Sequence, residues 1–224
     1  MADDTVRDDQ YGLVQLHETP EEIAFEVRGD EGALWTGGRL LIGIWTFAFA
    51  ALAFAYFYLR SANNEDLWRP NGITAPTTVG AAVFALTVAC ALLAIFGERR
   101  FRAGEALDWE VAGWTVVLGA LLVVGLQIWQ LTELPFFPGS SGYASCFIGW
   151  AAMNIALVLS GAYWLETLLA REIRLRRAVA EDGGAPRSTL PAARLFRVNL
   201  EGCTYFWGFI ALVGVFFWVL FYVL

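Results

Sequence analysis

The chain has 224 residues, a formal net charge of −7, and 58% hydrophobic residues, including 10 Trp and 17 Phe. Soluble domains of this size rarely reach that apolar content, so the composition points away from a water-soluble globule and towards a polytopic membrane protein. The acidic balance leaves no expectation of a nucleic-acid partner.

The first 37 residues read as an acidic cytoplasmic tail, with ten carboxylates from Asp3 to Glu31 against only Arg7 and Arg28. No basic start leads into an apolar run, so this is not a signal peptide. Thr19-Pro20-Glu21-Glu22 has the form of a capped helix start and predicts a short surface helix over about 20–27. The tail is either a solvated acidic segment or one that docks on a basic face of a partner subunit.

Residues 38–224 then hold five apolar runs, at about 40–59, 77–96, 111–131, 143–170 and 203–224. About 20 apolar residues cross a bilayer, and only a helix satisfies its own backbone in lipid, so each run predicts a transmembrane helix. The fourth is about 42 Å long at 1.5 Å per residue, which predicts tilt or projection, with Glu166 at its polar end. The expected fold is all-α: a five-helix transmembrane bundle.

All 15 basic residues are Arg. Arg99, Arg100 and Arg102 follow the second run, and seven more lie between Arg171 and Arg197. The opposite connections carry only Arg60 and Arg69. Basic residues near spans stay on the cytoplasmic side, so the N-terminus is expected inside and the C-terminus outside.

The spans contain little chemistry. No Asp, Glu, Lys or Arg lies near the middle of any run, and the single His, His17, is in the tail. Intramembrane ionisable residues mark proton and ion routes, and haem or copper needs His, Met or thiolate ligands. Neither a pump nor a redox centre is therefore expected in this chain, and no catalytic or metal-ligating residue is assigned. Cys90, Cys146 and Cys203 lack metal-ligand spacing and read as buried apolar residues.

The polar residues at depth are Gln127 and Gln130 on the third span and Asn154 on the fourth. Such amides usually hydrogen-bond across helices, and they are the candidate site residues, in a packing role. Ser145 with Gly149, and Gly208 with Ala211 and Gly214, are expected at close helix contacts. Trp35, Trp68, Trp109 and Trp164 near span ends read as interface anchors.

Several stretches together resemble subunit III of the haem-copper respiratory oxidases, in its short five-helix form. They are AFAYFYLRS ending at Ser61, Trp68-Arg69-Pro70, Glu98-Arg99-Arg100, Gly125 to Trp129, Gly139 to Phe147, and Glu201 with Tyr205-Phe206-Trp207. The resemblance spans about Arg39 to Leu224. The chain departs from the family at its ionisable positions. Trp45 replaces a membrane carboxylate, and Gln130 ends the Gln-x-x-Glu motif that begins at Gln127. A His-containing stretch reads Ala152 to Leu157, and the Trp-His-Phe-Val-Asp of the last helix reads Trp207 to Ala211. Proton handling by those positions is therefore not carried over.

The resemblance implies a non-catalytic subunit in the plasma membrane of a prokaryote. Such a subunit packs on the catalytic one, holds phospholipid and protects turnover from inactivation. Haem and copper would belong to subunits I and II, with subunit IV a further candidate partner. The alternatives are an accessory protein of a nitric oxide reductase, or a free-standing structural protein, assembly factor or neutral channel.

Overall fold

The computed structural model describes residues 20–62, 67–181 and 191–224. The described residues form helices α1 (Pro20–Ser61), α2 (Thr77–Arg102), α3 (Ala106–Thr132), α4 (Gly142–Glu181) and α5 (Pro191–Trp218). A single π-helical turn, Val219–Val223, ends the last helix. There is no strand among the described residues, and all five helices are long and apolar enough to cross a membrane. The expected fold, an all-α multi-pass membrane bundle, is observed.

Neighbouring helices pair in a ring, α2 with α3, α3 with α4, α4 with α5, and α5 with α2. Helix α1 lies outside this ring against α4 and α5. Its most apolar stretch is only 11% buried, against 33–50% for the other four. Leu40, Ile44, Phe47, Phe54 and Tyr58 consequently face the surroundings of the bundle. One end of the bundle carries most of the arginines; Arg60 and Arg69 are at the opposite end.

Local chemistry explains the connections. The turn between α2 and α3 takes only residues 103–105. Gly104 has φ +88°, a left-handed conformation that glycine adopts without steric cost. Gly104 N–H donates to Phe101 C=O and Glu105 N–H to Arg100 C=O, both at 3.0 Å. This is the Schellman pattern, which satisfies carbonyls that the end of α2 leaves open. Helix α4 starts where the Ser141 hydroxyl accepts from Ala144 N–H at 3.1 Å, an N-cap bond. Ahead of it, Pro138 and Gly139 (φ +87°) form a turn closed by Ser140 N–H to Phe137 C=O at 3.1 Å.

Four expectations are corrected. The helix predicted to end near residue 27 runs without interruption to Ser61, so the tail boundary at 37/38 falls inside α1. No proline interrupts this stretch, and ties to α5 support it. Glu31 pairs with Arg194, and Trp35 packs on Tyr205 with ring centroids 6.0 Å apart. Helix α5 likewise begins twelve residues before Cys203, at Pro191. Trp68 and Trp109 are buried core residues, not interface anchors, while Trp35 and Trp164 are half-buried. Ser145 is exposed and serves the α4 entry, accepting from Gly139 N–H at 3.2 Å. Gly208 touches nothing within 4 Å of a Cβ position, whereas Gly214 meets Thr87 of α2. The close approaches instead involve Gly80 beneath Tyr222, Gly113 beneath Leu169, Gly119 beneath Cys90, and Gly161 beneath Ile210. A small residue reveals its packing role only once the facing side chain is known. All three cysteines are buried and free, as expected. His17 and the Thr19 cap lie outside the described residues.

Candidate functional site

The three predicted polar residues meet. Asn154 Nδ2 of α4 donates to Gln127 Oε1 of α3 at 3.1 Å. Gln127 Nε2 donates to Gln130 Oε1 at 2.7 Å. Gln130 Nε2 then donates to the Tyr222 hydroxyl at 2.6 Å and to the Pro76 carbonyl at 3.1 Å. Gln127 and Gln130 are fully buried and Asn154 is 2% exposed. Residues three apart share a helix face, so α3 presents both glutamines to one seam. The chain of amides ties α3 to α4, to the start of α2 and to the end of α5. Each interhelical bond of this kind stabilises a membrane bundle by about 0.6 to 1.7 kcal/mol.

Tyr222 and the Pro76 carbonyl were not foreseen. No sequence period announces the π-helical turn, Val219–Val223, that carries Tyr222. Pro76 precedes α2, whose Gly80 leaves the space that the Tyr222 ring occupies.

The end of α5 organises a second cluster. The last carbonyls of a helix have no partner within it and are costly to leave bare in an apolar setting. Tyr56 OH donates to Leu220 C=O at 2.6 Å, and Tyr143 OH and Arg69 Nη2 both reach Phe221 C=O at 3.3 Å. Arg69 also lies over the Tyr143 ring, 4.3 Å from its centroid. Tyr56 meets Trp68 edge-on at 4.9 Å, and Trp68 meets Tyr143 at 6.0 Å. Edge-to-face pairs add about 0.5 to 1.5 kcal/mol each beyond their burial.

The arginine-rich end is held by shared ion pairs. Arg102 of α2 reaches Glu98 at 2.5 Å and Glu201 of α5 at 3.4 Å. Arg176 of α4 joins Glu110 of α3 and the fully buried Glu172. Arg100 pairs with Glu105 and Asp108 across the short turn. Beside them, a cleft of about 360 Å³ opens between α1, α4 and α5. Trp35, Gly38, Ile42, Trp164 and Gly202 form its apolar walls, with Arg39 and Asn199 as polar groups. Asn199 Oδ1 accepts from Trp164 Nε1 at 2.6 Å, and the Arg39 guanidinium lies 5.2 Å from the Trp35 ring centroid.

This arrangement is suited to holding helices together. No protein-family model matches the chain, and no curated protein matches it.

Proposed function

We propose that this chain is a non-catalytic membrane subunit of a respiratory haem-copper oxidase, in the place of subunit III. In this role it packs on the catalytic subunit and stabilises it during oxygen reduction and proton translocation. One observation carries the reading: stretches distant in sequence that resemble subunit III pack against one another. The Glu98-Arg99-Arg100 turn meets the entry to the last helix through Glu98, Arg102 and Glu201. Tyr56 from the first stretch, Trp68 from the loop and Tyr143 from the α4 entry form one aromatic cluster. Tyr143 N–H also donates to Trp68 C=O at 3.2 Å.

On this reading the haems and copper belong to subunits I and II, and the protein resides in a prokaryotic plasma membrane. The arginine-rich end faces the cytoplasm, as the positive-inside rule requires. The cleft with Arg39 and Asn199 at that level suits an anionic phospholipid. Its apolar walls would take acyl chain and its guanidinium the headgroup charge.

Deleting the chain from its host membrane tests this role. Oxygen consumption in the deletion strain should start near normal or reduced and decay during sustained turnover. Unchanged oxidase content and lifetime would refute the assignment.

A further inference from the structure

The hydrogen-bonded amides have a fixed polarity. Pro76 has only a carbonyl to offer, so the Gln130 atom 3.1 Å from it must be the Nε2 donor. Gln130 Oε1 is thereby turned to Gln127, which must answer with Nε2 at 2.7 Å. Gln127 Oε1 in turn requires Nδ2 from Asn154, at 3.1 Å. No amide can flip without placing like atoms against each other, so the chain ends in a bare acceptor, Asn154 Oδ1.

That oxygen is buried and has no partner among the described residues. One helical turn earlier on α4, Trp150 Nε1 is a buried donor with no partner either. The two residues are 2% and 3% exposed. Positions i and i+4 on a helix have Cβ atoms about 5 to 6 Å apart. Helical side chains lean towards the N-terminus, which carries the Asn154 amide over the turn that holds Trp150. A lone acceptor and a lone donor on neighbouring positions of one helix face, in an apolar interior, are each costly to leave bare. Together they have the complementarity that one water satisfies, and buried waters are held by two to four such groups.

We propose that α4 binds a single structural water in the membrane interior, which accepts from Trp150 Nε1 and donates to Asn154 Oδ1. It completes the polar seam that runs from Tyr222 and Pro76 to Gln130, Gln127 and Asn154. The site is a property of this chain and needs no partner subunit.

The test is water-to-indole magnetisation transfer by NMR on the full ¹⁵N-labelled chain in bicelles, with the signal assigned through Trp150→Phe. The Trp150 indole proton should show a through-space cross-peak to water, and Asn154→Leu should abolish it while the other nine indole signals persist. A folded wild-type protein without that cross-peak overturns the proposal. So does a cross-peak unchanged in Asn154→Leu. An indole shift that responds to Asn154→Leu without any water contact would mean a direct Trp150–Asn154 bond and would also overturn it. Should Asn154→Leu fail to fold, Asn154→Ala replaces it, and the wild-type cross-peak remains decisive alone.

Discussion

Replacing Gly80 with Ala tests the polar seam through its steric foundation. A Cβ at residue 80 would fall on the phenol end of Tyr222, too close for both to stay in place. The ring must move, and its hydroxyl leaves Gln130 Nε2, which is now 2.6 Å away. Losing that bond costs about 0.6 to 1.7 kcal/mol, and forcing a methyl into a packed contact costs about 1 to 3 kcal/mol. Alanine's better helix propensity returns up to about 1 kcal/mol. The net expectation is a destabilisation of about 1 to 4 kcal/mol, measured by reversible unfolding in mixed micelles. Tyr222→Leu removes the phenol, so Gly80→Ala in that background should cost close to nothing. The two substitutions should therefore be strongly non-additive, as expected for residues in contact. Additive effects would refute the reasoning, because they would mean that Tyr222 does not rest on Gly80.

Gln130→Leu should destabilise the bundle more than Asn154→Leu in the same assay. Gln130 makes three side-chain hydrogen bonds to protein groups and Asn154 one, so about 2 to 4 against 1 to 2 kcal/mol is expected. Tyr56→Phe strips the donor from Leu220 C=O and should cost about 1 to 3 kcal/mol, while Tyr58→Phe, exposed on the same helix, should cost almost nothing. Arg102→Met should weaken the α2–α5 contact by no more than about 1 kcal/mol, because the side chain is 41% exposed. Reporter fusions after residues 105 and 185 should read as cytoplasmic, and one after Leu224 as external.

The helices were legible wherever hydropathy decides them. The run at 77–96 became the core of α2 and the run at 111–131 that of α3. Their true ends lie beyond these cores because charged residues such as Arg99 and Asp108 continue a helix in water and escape an apolar count. The same blindness hid residues 28–39 of α1, where the predicted short acidic helix passes into the apolar one without a break. Gln127, Gln130 and Asn154 stood out as amides among apolar neighbours, and the bundle joins them. Their continuation to Tyr222 was not legible, since it depends on a π-helical turn and on the space above Gly80. Trp68 and Trp109 show the opposite error. Tryptophans at span ends favour the interface on average, yet here Trp68 fills the gap between Tyr56 and Tyr143, and Trp109 packs on Phe101 and Phe196.

The central claim is that this chain works beside a haem-containing catalytic subunit. Affinity purification of the tagged full-length chain from its own membranes, in a mild detergent, with a reduced-minus-oxidised spectrum of the eluate, tests it most directly. Stoichiometric haem with oxygen-reducing activity is expected in the intact complex, and none in the chain once it is stripped of partners. A chain that elutes alone, from membranes whose oxidases remain assembled in the same detergent, would contradict it.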